Sequence, residues 1–418
     1  MNRKIGKLLI FAWAGVLLLL VGVLVNFCME TKVTHQPVKT EKQLTIMAVY
    51  EGDESNEYLK KLIDEYSVIQ GNPRVDIRYV AQSAFQKQLC LYKDQNSLPD
   101  LIICDSVMTP ALQSMEILRD MSDYMTGERT RRFLKHAYGS CVVNGICYGV
   151  PFTSNPYVVF YNKDHLTRYG KEIPDNMEDF YQLCRETKSL GTYSFGIAVK
   201  NKEDIASSFL QLVYSAGGTL RSLDSENSMK LYEILGKMRD EGIIAQDVIN
   251  WNQKDLMQAF SKGYVKIAVA RLSSMSLLEH SDSQINYEIA EIPYIQKQTF
   301  LFQGDMIGVT ETADEAEALK LLDYLTSPEV AESYYKNTYS LSVRTDVCVN
   351  PGKMRGLSDE FVERERNQSV LKSTYSTWFI ISDSIAGAMS DFFGDKSMTP
   401  HAVAARLQGE IRSAILER

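Results

Sequence analysis

Short apolar runs alternate along this chain with longer stretches whose apolar residues recur at helical spacing. Leu44-Thr45-Ile46-Met47-Ala48-Val49 reads as a buried strand. Leu59, Leu62, Ile63 and Tyr66 then give one apolar face to a helix starting near Glu54. Residues 75–80 alternate as a half-buried strand, and Pro99-Asp100 introduces another, Leu101-Ile102-Ile103-Cys104. The same order returns further on, with a strand over 193–198, a helix over 205–214 and a strand over 267–270. Ile292-Pro293 ends one more strand. Residues 313–326 form a helix with Ala316, Leu319, Leu322 and Leu325 facing inward. Ser327-Pro328 supplies the N-cap and first turn of the next helix, and Thr399-Pro400 repeats that device before a terminal helix striped by Val403, Leu407 and Ile411. Strands alternating with helices predict an α/β fold on mostly parallel sheets.

The densest signal is the segment 144–164, NGICYGVPFTSNPYVVFYNKD. Asn144-Gly145, between Val142-Val143 and Ile146-Cys147, predicts a two-residue hairpin, because a type I′ turn needs positive φ at both central positions. Pro151 ends that ladder, since it has no N–H to donate. Val158-Val159-Phe160-Tyr161 opens a new buried strand, closed by the turn and cap chemistry of Asn162-Lys163-Asp164. This segment resembles the family 1 extracellular solute-binding proteins of ABC importers, which include carbohydrate binders such as the maltose-binding proteins. There a similar Asn-Gly…Tyr-Gly-Val-Pro, followed by Tyr-Asn-Lys-Asp, carries the chain from one lobe to the other. Ser215-Ala216-Gly217-Gly218, Ala259-Phe260-Ser261-Lys262-Gly263 and Thr326-Ser327-Pro328-Glu329 are similar to further junctions of that family.

The resemblance implies a two-lobed, periplasmic-binding-protein-like α/β fold. Its N-lobe would be 43–152 and 305–342 and its C-lobe 153–304 and 343–418. Three crossovers near Pro151, Gly304 and Val343 would hinge the lobes around a solute. A sugar site needs aromatic faces and groups that bond hydroxyls, gathered at strand ends. The candidates are Tyr50 and Glu51 after the first strand, Asp105 after the third, and Asn155 at the first crossover. Arg271, with Ser273, follows the 267–270 strand, and Gln303-Gly304-Asp305 forms the second crossover. Trp251 is a platform or a surface lid. Trp378 sits where a maltose-binding relative stacks a sugar, its alternative being a core side chain. Asn155, Glu51 and Asp105 could equally be turn or cap residues.

Before the fold comes a segment of different character. Arg3, Lys4 and Lys7 precede an uncharged run to Cys28, and residues 8–25 alone reach the length of a membrane span. Residues 1–29 are therefore expected to be a retained anchor, with lipid at Cys28 or a cleaved signal as the alternatives, and 30–42 a polar tether. Arg3, Lys4 and Lys7 are the only charges before residue 30, so the exported part carries −11 where the whole chain carries −8. Such a surface is a poor partner for nucleic acid. Seven cysteines include Cys28, Cys90, Cys104, Cys141, Cys147, Cys184 and Cys348. A two-residue turn puts Val142 opposite Cys147, so Cys141 and Cys147 point to opposite sheet faces, and free, mostly buried thiols are expected.

Other classes leave weaker traces. The chain lacks G-x-S-x-G, H-E-x-x-H, Walker A and G-x-G-x-x-G patterns, and His35, His136, His165, His280 and His401 are scattered. An enzyme, a cofactor and a structural metal are not expected. Tyr334-Tyr335 resembles the adjacent tyrosines of ferric-binding relatives, but adjacent helical residues diverge by about 100°. The expected partners are a small polar solute and ABC permease subunits at the outer face of the cell membrane, with the chain a monomer. A membrane-anchored sensor of the same fold is the alternative. Because Phe27 before Cys28 departs from the small residue usual at a lipidation site, Cys28→Ala is expected to leave the full chain membrane-bound with no mass lost beyond the substitution. Release from membranes, or loss of lipid mass by mass spectrometry, would show that the anchor is lipid.

Overall fold

Asn144 and Gly145 take φ of 52° and 84°, the pair of positive values a two-residue hairpin requires. Around this turn β4 (Val142–Val143) pairs β5 (Ile146–Cys147), with Val142 opposite Cys147. In the computed structural model, residues 43–50, 54–69, 74–281, 284–350 and 355–416 are described. The expected anchor, the tether and Glu51 lie outside them. Among the described residues no helix is long and apolar enough to cross a membrane.

Two sheets carry the fold. In the first, the order is β2 (Arg74–Ala81), β1 (Gln43–Tyr50), β3 (Leu101–Asp105), β13 (Asp305–Val309), β6 (Val150–Pro151). In the second it is β11 (Tyr287–Ala290), β8 (Tyr157–Asn162), β10 (Val265–Arg271), β9 (Tyr193–Ile197). The sheets are mixed rather than mostly parallel. β1 runs parallel to β2 and β3, and β10 to β9, whereas β13 runs against β3 and β6, and β8 against β10 and β11. The reason is connectivity. β8 and β13 each follow a crossing from the other sheet, so they enter where their neighbours leave. Asp305, first in β13, pairs with Asp105, last in β3, and Tyr157, first in β8, pairs with Arg271, last in β10.

The crossings themselves form small ladders. β7 (Thr153–Ser154) pairs β14 (Leu341–Ser342), and β12 (Leu301–Phe302) pairs β15 (Val370–Leu371). Gly304 follows β12 because nothing larger fits, since an added Cβ would lie 2.1 Å from Phe302 Cζ and 2.5 Å from the Thr153 carbonyl.

Helices cover both sheets. Helix Glu54–Val68 buries Leu59, Leu62, Ile63 and Tyr66, the stripe its spacing predicts. Helix Glu315–Leu325 is rotated from its expected face. It buries Ala318, Leu321, Leu322 and Leu325, while Ala316 is exposed and Leu319 half-buried. Leu322 and Leu325 belong to both stripes, so the apolar pattern alone fits either rotation, and packing against the sheet selects one. Tyr334 and Tyr335 are packing residues. Tyr334 stacks edge-on near Tyr58, and Tyr335 donates its hydroxyl hydrogen to the Asn350 carbonyl at 2.6 Å. All six cysteines in the described residues are free thiols, four buried and Cys90 and Cys348 exposed.

The β7–β14 ladder is clasped by helix Asp359–Gln368. Ser154 donates to Glu365 Oε1 at 2.6 Å, and Arg366 donates to the carbonyls of Ser342 and Arg344 at 2.6 and 2.7 Å. Burial raises the Glu365 carboxyl to about 7, against the pull of the Ser154 hydroxyl and Arg366. A carboxyl raised on folding contributes stability that is complete below its unfolded value near 4.5 and lost as pH climbs through 7. Glu365→Gln should therefore lose little at acid pH and gain on the wild type by up to about 3 kcal/mol near pH 8. Denaturant melts of both proteins from about pH 5 to 8 test this, and a pH-independent difference would refute the burial of an ionising group at this clasp.

Candidate functional site

β3 and β10 point their carboxyl ends at each other across the crossings, and the residues that end them meet there. Asp105, Asn155, Arg271, Gly304 and Asp305, expected from the sequence, line one cavity together with Glu203 and Gln303. In this conformation the cavity measures about 20 Å³, room for roughly one water, whereas sites for drug-sized ligands run to ~300–1,000 Å³. The space is filled by the protein's own polar side chains.

Each is held by local geometry. Asp105 accepts from the Val107 N–H at 3.0 Å, capping the short turn 106–108, and offers its other oxygen outward. The Asn155 amide spans to the loop after β10, donating to Ser273 Oγ at 2.8 Å and accepting from the Ser273 N–H at 3.0 Å. The backbone is tied across as well, Ser106 N–H donating to the Gly304 carbonyl at 2.8 Å and Asn155 N–H to the Gln303 carbonyl at 2.6 Å. Asp305 accepts from Thr153 Oγ1 at 3.2 Å.

The centre of the site is a residue the pattern did not mark. Lys372, 2 % exposed, follows β15 and directs its ammonium to Asp105 Oδ2 at 2.6 Å, Ser207 Oγ at 2.7 Å and Gln303 Oε1 at 2.8 Å. Beside it Glu203, 1 % exposed, accepts from the Trp378 indole N–H at 2.9 Å, with the Ser382 hydroxyl also at its carboxylate. Burial pushes the Glu203 carboxyl up, opposed by the Lys372 charge. Arg271 pairs with buried Asp204 at 2.9 Å and donates from Nε to the Tyr157 hydroxyl at 3.3 Å. Gln303 keeps an unbonded Nε2. Glu203, Asp204 and Ser207 gave no sequence signal, because acids in the first turn of a helix, here Lys202–Ser215, are ordinary helix-start chemistry.

Two tryptophans that the sequence leaves with alternative readings take the following positions. Trp378 is wholly buried, its ring beneath the Lys372 ammonium at 5.3 Å, so in this conformation it offers no face to a sugar and instead positions Glu203. Trp251 lies beside the edge strand β9, its carbonyl accepting from the Val199 and Lys200 N–H groups at 3.1 and 3.0 Å, and it lines an open hollow of about 650 Å³ with its ring 6.5 Å from that of Tyr264. Tyr50 ends β1 on the same edge as Asp105.

The arrangement is a set of hydrogen-bonding and charged groups at the junction of two sheets. Comparison with known proteins agrees on its class. The profile of the bacterial extracellular solute-binding proteins matches residues 61–352, and the chain belongs to that family. It is 22 % identical to the multiple sugar-binding protein of Streptococcus mutans over 366 residues, 82 % of each chain. It is 21 % identical to a putative binding protein of Brucella abortus over 241 residues, 55 % of this chain, and spans only 59 % of that relative. Its fold is similar to maltose-bound MalE3 of T. maritima, with a TM-score of 0.80 at 17 % identity, covering 89 % of this chain and 99 % of that one.

Trp378→Phe keeps an aromatic ring but removes the N–H that satisfies Glu203 Oε2, together with part of the indole's buried volume. It should cost about 1–3 kcal/mol of stability, read from urea denaturation, with the spectrum of a folded protein retained. No loss of stability would show that Glu203 finds other partners.

Proposed function

We propose that this chain is the extracytoplasmic solute-binding component of an ABC importer, and that it captures a carbohydrate between two lobes. The observation that carries the reading is the convergence of the carboxyl ends of both sheets on one polar cavity, ringed by carboxylates, amides and an Arg that suit hydroxyls. The sugar-binding name of the Streptococcus mutans relative and the maltose bound in the T. maritima neighbour support a sugar as the solute. The lobes would be 43–152 with 305–342, and 153–304 with 343–418, hinged near Pro151, Gly304 and Val343. Sheet membership follows that division, since β1, β2, β3, β6 and β13 share one sheet and β8 to β11 the other.

A sugar cannot enter a cavity of about 20 Å³, so the lobes must part, breaking the Asp105–Lys372 bridge. Binding then closes them over the solute by shifting an open and closed population. The permease subunits would read the closed form. Retention at the outer membrane face by residues 1–29 belongs to the same proposal, and copurification with a histidine kinase instead of permease subunits would favour a sensor.

Thermal melts of the full chain against neutral sugars, amino sugars, uronates and polyols should find a stabilising solute, which at 100 times its Kd adds about 2.7 kcal/mol. The same solute should lower the radius of gyration in small-angle scattering. A saturating solute that leaves the radius unchanged would remove the hinge from the mechanism, and stabilisation by no member of the panel would remove the carbohydrate.

A further inference from the structure

One short segment touches all three crossings. Glu365, in helix Asp359–Gln368, accepts from Ser154 at the first. Val370–Leu371 pairs with Leu301–Phe302 ahead of the second, and Arg366 donates to the Ser342 and Arg344 carbonyls at the third. The first and third crossings lie side by side, Ser154 opposite Leu341 and Thr153 opposite Ser342. A hinge motion twists these two strands against each other, and the bonds of the helix reach both. Lys372 follows the Val370–Leu371 ladder directly, so a shift of this segment carries the centre of the site with it.

Glu365 is wholly buried, and only one of its oxygens is bonded. Oε1 takes the Ser154 hydroxyl, whereas Oε2 has no hydrogen-bond partner among the described residues. A neutral carboxyl sits there at modest cost, but a carboxylate with a single uncharged donor is expensive. The charge acting on it is that of Arg366, whose guanidinium is already committed to two carbonyls. The other groups around the clasp do not answer for it. His136, edge-on to Phe302, is held down to about 4 by burial and by Arg366, so it stays neutral above that pH. The Arg344 guanidinium turns away to Asp346 and the Thr326 carbonyl, and Cys348, facing Arg366, is an exposed thiol. Ionising Glu365 therefore calls for water at Oε2, and admitting it means parting the helix from the β7–β14 ladder.

We propose that Glu365 is a proton-operated catch on the hinge: protonated, it fastens the helix to the first and third crossings and favours the shut cleft, and ionised, it lets them go and favours the open one. This rests on the hinge reading above and adds its control. The fastened form keeps its proton to higher pH than the loosened, hydrated form, so raising the pH favours loosening. The window runs from the ordinary carboxyl value of 4.5 to about 7, and within it the ratio of open to shut forms should rise by up to about tenfold per pH unit. A solute in the cleft is then gripped most firmly on the acid side.

Small-angle scattering of the full chain without solute, from about pH 5 to 8, tests the catch. The wild-type radius of gyration should rise between about pH 5 and 7 and level off above, with the far-ultraviolet spectrum unchanged. Glu365→Gln should stay at the compact radius throughout, as should Glu365→Met, a second variant in case the amide does not fold. A wild-type radius that ignores pH, while a saturating sugar from the panel above lowers it, would overturn the catch and leave the hinge standing. If neither pH nor any sugar of the panel changes the radius, the hinge reading fails and the catch with it. A radius that still follows pH in both variants would move the titrating group elsewhere, to His280 or His401 for example, and overturn the proposal. Growth of the radius with loss of helical signal would make the change unfolding rather than opening, and would overturn it as well.

Discussion

A strand that reaches a sheet from a neighbouring sheet must enter at the edge where the resident strands end, and the rest of this molecule is arranged by that constraint. β13 and β8 both arrive this way, which turns each sheet from parallel to mixed. It also places Asp105 beside Asp305 in one sheet and Arg271 beside Tyr157 in the other. Chain direction alone thus brings charged side chains from distant parts of the sequence to one junction. The same junction is where the backbone must pass closely, which is why Gly304 admits no side chain between Phe302 and the Thr153 carbonyl.

Burial then decides what those side chains can do. Lys372 and Glu203 are almost fully enclosed, where an ion is tolerable only with partners. Lys372 finds three acceptors, and Trp378 spends its only N–H on Glu203. The indole is therefore a support for the site rather than its floor, and the aromatic surface a sugar would use is not provided by Trp378 in this conformation. At the opposite side of the crossings, the Glu365–Ser154 and Arg366–Ser342 bonds fasten a helix to the β7–β14 ladder. A buried carboxyl raised to about 7 at that point makes the clasp responsive to protons in the physiological range.

Sequence alone determined the local elements. The Asn144-Gly145 turn, the strand 158–161, the stripe of helix Glu54–Val68 and the proline-started helices are written in short-range rules, because positive φ, a missing N–H and helical periodicity act over a few residues. The order of those elements, read with the crossing motif, also carried the family. What needed tertiary structure was everything set by contact between distant segments. The face of helix Glu315–Leu325 was ambiguous because two rotations bury Leu322 and Leu325 alike. Trp378 could be a cleft or a core residue and Trp251 a cleft platform or a surface lid, since an aromatic near a helix start carries no mark of what will cover it. Lys372, Glu203 and Ser207 were invisible because a lysine in a loop and acids in a first helical turn are ordinary locally. Their meaning comes only from Asp105, 267 positions away from Lys372 in sequence and 2.6 Å away in space.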